Sequence, residues 1–175
     1  METTSLRLAG VALRRAPEAS FAEFVRTSTS VLIRKAYVLT GSVLAAEELV
    51  QDTLVRLYPR WEKVETSDIP LAYVQRSLTN NFLSQWRRRT RREILTDVVP
   101  DRPAGVHTEG DVADRDEMWA RLRILSPRQR TVLVLRFYEG FSDADIADYL
   151  DCRAGTVRSL ASRGLATLRD RARAA

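Results

Sequence analysis

The sequence predicts an all-α protein made of two small helical domains joined by a flexible acidic linker. Three observations predict it. Apolar residues recur at spacings of three and four on both sides of a central break, and nowhere alternate as a half-buried strand would. Between Thr96 and Glu117 the stretch TDVVPDRPAGVHTEGDVADRDE interrupts that period with two prolines, two glycines, seven acids and two arginines. At 175 residues the chain is long enough for one domain or two small ones. The expected division is a flexible N-terminal extension over 1–20, a first lobe over 21–92, the linker over 93–115 and a second lobe over 116–175.

In the first lobe Phe21, Phe24, Val25, Leu32 and Leu39 mark one helical stripe, which Thr40, Gly41 and Ser42 end. A second helix follows with Ala46, Leu49, Val50, Leu54 and Leu57 inward, leaving Glu48, Gln51, Asp52 and Val55 on its other side. PRWEKVETSDIP reads as a loop, and Pro70 suits the first turn of a third helix whose Leu71, Val74 and Leu78 face inward. Tyr73, Arg76, Ser77, Asn80, Ser84 and Arg87 fall on another face of that helix. The surrounding stretch YVQRSLTNNFLSQWRRRTRR holds six arginines, no acid, two adjacent asparagines and three aromatic residues. Arginines alone suggest phosphate; rings and amides beside them suggest bases that have left their duplex.

The second lobe opens with Met118, Trp119, Leu122 and Leu125. In SPRQR, Ser126 can cap the next helix and Pro127 can begin it, and Gly140 can end it. Ser142 with Asp145 three residues on forms an acidic capping box for a short helix. After DCRAG a longer helix has Val157, Leu160, Ala161, Leu165 and Leu168 inward and Gly155, Arg158, Ser159, Ser162 and Arg163 outward. A short helix, a tight turn and a longer helix with small and basic exposed residues near its start make the helix-turn-helix pattern. In the major groove arginine can donate to guanine O6 and N7, and serine can read an edge or a phosphate. The final 24 residues carry six arginines against one acid, which favours DNA over a neutral packing unit.

A net charge of +5 and a pI near 9.9 favour an acidic partner. No apolar run approaches the roughly 18 residues of a membrane span. METTSLRLAGVALRRAPEAS has an arginine inside its weakly apolar stretch, which rejects a secretory signal, so a cytoplasmic protein is expected. One cysteine and one histidine exclude an internal disulfide and leave too few ligands for a usual zinc site, so neither metal nor cofactor is expected. Cys152 reads as a small packing residue and His107 as solvated. No Gly-rich phosphate loop and no Ser/His/Asp or Cys/His set is present, so no catalyst is predicted.

Taken together, these segments resemble the extracytoplasmic-function (group IV) sigma factors of bacterial RNA polymerase, in their short actinobacterial, sigma-E-like form. FAEFVRTSTSVLIRKAYVLTGS resembles that family's first conserved helix, AAEELVQDTLVRLYPRW its polymerase-binding helix and YVQRSLTNNFLSQWRRR its promoter-melting helix. LSPRQRTVLVLRFYEGFSDADIADYLDCRAGTVRSLASRGLATLR resembles the C-terminal domain that recognises the −35 element. The resemblance implies that Glu48, Gln51, Asp52, Val55 and Arg56 dock on core polymerase, at the clamp helices of β′, with the β subunit a further contact. It implies that Tyr73, Arg76, Asn80, Ser84, Arg87 and Arg88 meet −10 DNA, with the loop from Trp61 to Ile69 receiving an extruded base. Arg153, Gly155, Thr156, Arg158, Ser159, Ser162 and Arg163 would meet the −35 element. Thr79 stands where the family commonly has arginine, Tyr73 where tryptophan is common and Leu160 where arginine is frequent. An anti-sigma factor is a further candidate partner, and the acidic linker would run near the RNA exit path. The terminal Ala174-Ala175 resembles the small-residue tails read by bacterial Clp-type proteases. The alternative is a stand-alone helix-turn-helix regulator binding duplex DNA as a dimer, although no segment reads as a dedicated dimer helix.

Overall fold

The computed structural model describes residues 17–95, 119 and 121–173, with the side chains of 17 and 90–95 excepted. Of the linker expected over 93–115, residues 93–95 are helical; the expectations for the rest of it with His107, for 116–118, for residues before Pro17 and for Ala174-Ala175 lie outside the described residues.

Helix α1, Pro17–Thr40, begins four residues ahead of the first apolar stripe. Pro17 fits a first helical position, Glu18 lies in the first turn, and Ser20 accepts a hydrogen bond from Trp61 Nε1 at 2.7 Å. The helix ends at Gly41, whose φ of +73° is the left-handed conformation that stops a helix. Ser42 then caps α2, Val43–Leu57, through Ala45 N–H. Ala46, Leu49, Val50, Leu54 and Leu57 are buried, as the 3.6-residue period requires. They meet Leu32, Ala36 and Leu39 of α1.

The stretch expected as a loop is largely helical. A 3-10 turn, Tyr58–Arg60, leads into α3, Trp61–Glu65, and only the residues after it are open chain. Trp61 and Val64, three apart, drop into the core at 3 % and 0 % exposure, and Phe21 and Phe24 pack on the indole with ring centroids 5.1 and 4.9 Å away. Helix α4, Pro70–Leu95, lies across α1 and α2 and seals the core with Val74 and Leu78.

In the second lobe Ser126 and Gln129 form a reciprocal capping box at the start of α5, Pro127–Leu133. The helix widens into a π turn, Val134–Tyr138, closed by Glu139 N–H on the Val134 carbonyl at 3.1 Å, and Gly140 follows at a φ of +73°. Ser142 and Asp145 form the expected box on α6, Asp143–Leu150. Asp151 turns the chain in the left-handed region, with φ of 50°, and α7, Ala154–Arg173, returns across α5 and α6. Val157, Leu160 and Ala161 are buried with Leu125, Val132, Leu135 and Ile146. Leu165, expected inward, is 36 % exposed, because the stripe drifts around α7 and Gly164 takes the contact with Leu133.

Candidate nucleic-acid and polymerase interface

The outward face of α2 carries Glu48, Gln51, Val55 and Arg56, all exposed, with Val55 at 70 %. Asp52 behaves differently. Its carboxylate turns toward α4, where Oδ2 accepts from Asn81 Nδ2 at 3.1 Å and from Gln85 Nε2 at 2.9 Å, while Arg56 pairs with it at 3.0 Å from one turn on. Burial alone would raise the Asp52 carboxyl. The hydrogen bonds from Asn81, Arg56 and Gln85 and the charge of Arg56 outweigh that and hold it below its ordinary value of 3.8.

Along α4 the two asparagines separate. Asn80 is exposed, whereas Asn81 is buried against α2 and also donates to Thr53 Oγ1 at 3.0 Å. Arg87 and Arg88 are exposed and Ser84 is half-buried. Tyr73, expected on the DNA face, is half-buried on the rim of the first core. Asn80, Leu83, Trp86 and Arg87 line a cleft of about 60 Å³ together with Arg128 and Leu150 of the second lobe.

Arg76 is exposed but already engaged in this arrangement. Its guanidinium donates to the Tyr149 carbonyl at 3.0 Å and to the Asp148 carbonyl, at the C-terminal end of α6. The last carbonyls of a helix have no partner within it and attract a cation, which explains the capture. Around it lies a junction between the lobes that sequence reading did not identify. Lys35, 5 % exposed, pairs with Glu139 at 2.8 Å and donates to the Tyr149 hydroxyl at 3.1 Å; Thr79 Oγ1 lies 3.2 Å from the same hydroxyl. Arg130 reaches the Leu39 carbonyl at 2.6 Å, and Trp119 lies so close over Gly41 that a Cβ there would fall 1.3 Å from its ring. Burial pushes the Arg130 guanidinium down to about 10, so it remains charged at neutral pH. One signal was legible: Lys35 sits in the apolar register of Leu32 and Leu39, where a cation needs a buried partner.

Arg153, just ahead of α7, and Gly155, Arg158, Ser159, Ser162 and Arg163 on it are exposed, and Thr156 is half-buried. The turn is tight, with Cys152 N–H on the Ala147 carbonyl at 2.9 Å and Thr156 N–H on the Arg153 carbonyl at 2.8 Å. Leu160 points into the second core at 8 % exposure and is a packing residue. Arg158 and Ser162 open onto a groove of about 570 Å³ that also holds Arg136, Leu165 and Arg169. Small and cationic side chains around the first turns of an exposed helix, held by a preceding short helix, suit a major groove.

Two family models match the chain: Sigma-70 region 2 over residues 24–92, and Sigma-70, region 4 over residues 115–168. The RNA polymerase sigma-E factor of Streptomyces coelicolor is 39% identical over 150 residues, which is 86% of this chain and 84% of that protein. The chain is an extracytoplasmic-function sigma factor. The sigma-E factor of Streptomyces avermitilis is 38% identical over 86% of this chain and 83% of its own length. The ECF RNA polymerase sigma factor SigE of Mycolicibacterium smegmatis is 31% identical over 86% of this chain and 61% of its own. Among solved structures, the sigma factor RpoE in complex with the anti-sigma factor NepR from Bartonella quintana superposes with a TM-score of 0.67 at 29% identity, covering 86% of this chain and 95% of that one. The sigma factor therefore directs transcription initiation, and its first lobe is region 2 and its second region 4. Among the described residues no helix is long and apolar enough to cross a membrane.

Proposed function

We propose that this sigma factor docks on core RNA polymerase through the α2 face of Glu48, Gln51, Asp52, Val55 and Arg56, reads the −35 element with α7 and holds opened −10 DNA on α4. The observation that carries the reading is the division of labour on α4: Asn80, Arg87 and Arg88 stand exposed on a helix whose opposite side is fixed into the core. Arginines hold phosphate while the amide meets an unstacked base. Opening is driven by binding energy spent on the unpaired strand, at ~1–3 kcal/mol of stacking per base against unstacking costs of a few kcal/mol. The sigma factor has no catalytic step, metal or cofactor of its own, and it works in the cytoplasm.

The clamp helices of β′ are the partner of the α2 face, and the β subunit meets the second lobe. The RpoE chain whose fold matches is held by an anti-sigma factor, which supports a partner of that kind here. The central reading is tested by run-off transcription with core enzyme on genomic fragments and mapping of start sites. Initiation at shared −35 and −10 sequences supports it. A footprint on a palindrome without polymerase supports instead a dimeric regulator.

A further inference from the structure

The paired asparagines of α4 do different work, and the buried one connects two surfaces that the family reading treats separately. Asn81 is 7 % exposed. Its Nδ2 bridges Asp52 Oδ2 and Thr53 Oγ1, and the Thr53 hydroxyl in turn donates a hydrogen bond to the Leu49 carbonyl at 2.7 Å. Gln85, one turn further along α4, donates to the same Asp52 oxygen. The amide orientation is forced, because an ionised carboxylate only accepts. That leaves Asn81 Oδ1 buried without a hydrogen-bond partner among the described residues. A leucine, with the same branched outline, would bury apolar surface there and strand no acceptor. What the asparagine supplies is a fixed direction.

We propose that Asn81 and Gln85, gripping Asp52, are positioning residues that set the roll of the promoter-opening helix α4 against the polymerase-docking helix α2. Two donors one turn apart on a single oxygen fix rotation about the α4 axis, where one alone would let the helix pivot. Successive residues of a helix project about 100° apart. With Asn81 held toward α2, Asn80 is therefore presented on the adjoining face, turned away from α2. Asp52 shares its helix with exposed Glu48, Gln51 and Val55, so the angle at which Asn80 meets the strand is referred to the surface that polymerase holds. This inference rests on the reading of α4 as the helix that contacts opened −10 DNA.

The test uses the full chain with core polymerase on a duplex promoter, reading thymine reactivity to permanganate, affinity for core and thermal midpoint. Asn81→Leu keeps the branched side-chain outline and removes one of the two α4 donors, leaving only Gln85 on that helix to hold Asp52. It is expected to fold with an unchanged or higher midpoint and bind core within about twofold of wild type, yet open the promoter about tenfold less, the size of one charge-assisted hydrogen bond. Asn81→Asp places two carboxylates together and opens still less. Asp52→Asn combined with Asn81→Asp restores an amide facing a carboxylate across the same gap, and opening at saturating core returns toward wild type while core affinity stays reduced. Wild-type opening by Asn81→Leu overturns the proposal, as does a parallel fall in opening, core affinity and midpoint, or a double variant no better than Asn81→Asp. Asn80→Ala run alongside separates the two levels: if it opens the promoter as well as wild type, the reading of α4 fails and not the grip.

Discussion

Glu48 is exposed on α2 and contributes nothing to the buried stripe, so reversing its charge isolates docking from folding. Glu48→Arg is expected to weaken core polymerase binding at least about tenfold, since like charges across an interface cost several kcal/mol, with an unchanged circular-dichroism melt. A pull-down of wild-type strength removes the face from the interface. Asp52 is a poorer probe, because its carboxylate is shared between that face and α4. On α7, Arg158→Ala and Arg163→Ala report different chemistry. If either pairs with guanine the loss is ~1–3 kcal/mol and confined to one base pair, whereas a phosphate contact weakens all sequences alike. Arg163 Nε already rests 3.3 Å from the Ser159 carbonyl, so the larger base-specific loss is expected at Arg158. Competition between promoter and scrambled duplexes measures both.

Among the elements, the acid behaviour of α2 against α4 follows from Asp52. Its carboxyl is held below its ordinary value in the folded chain, so its contribution is fully present above about pH 4 and is lost as pH falls through the lowered value. Asp52→Asn is expected to flatten the acid limb of a stability profile below pH 4 and leave the neutral region nearly level; an unchanged acid limb means that the grip on α4 contributes no linkage. The helices themselves were legible where period and punctuation agree. The α2 stripe, the Gly41 stop and the Ser142 box on α6 all stand where spacing puts them, because each is decided within a few residues. Helix α3 was not legible. Its five residues are too few to show a period, and Trp61 and Val64 become helical only because Phe21 and Phe24, some forty residues earlier, wait to receive the indole. The π turn was equally silent, since one extra residue per turn leaves the Leu133, Val134 and Leu135 pattern apolar in either register. Asp52 was placed outward by its period, and only α4, about thirty residues on, turns it inward.

For the whole molecule, the junction between the lobes is mainly polar, and such interfaces separate readily. Removing Glu139 strands Lys35 without its partner, whereas parting the lobes hydrates both groups together. While the lobes are closed Arg76 is held on α6, so engagement of −10 phosphate by that residue requires them to part. Gly41→Ala is the cleanest wedge, because a methyl group there collides with the Trp119 ring and also resists the positive φ. It is expected to enlarge the radius of gyration in small-angle scattering while region 2 helicity persists; an unchanged radius means the lobes do not close on this surface. The burial of Lys35 carries one more consequence, in ionic strength. Each arginine that settles on duplex phosphate releases counterions, and log affinity falls by about 0.9 per phosphate for each tenfold rise in salt. Mobile ions scarcely reach a pair as enclosed as Lys35 and Glu139, so closure divides promoter affinity by a factor that salt leaves almost unchanged. Salt titrations of the free chain and its Glu139→Gln variant, on a promoter with an open −10 segment, are therefore expected to give two parallel lines, the variant lying above. A change of slope would mean that the pair trades its contacts with DNA itself.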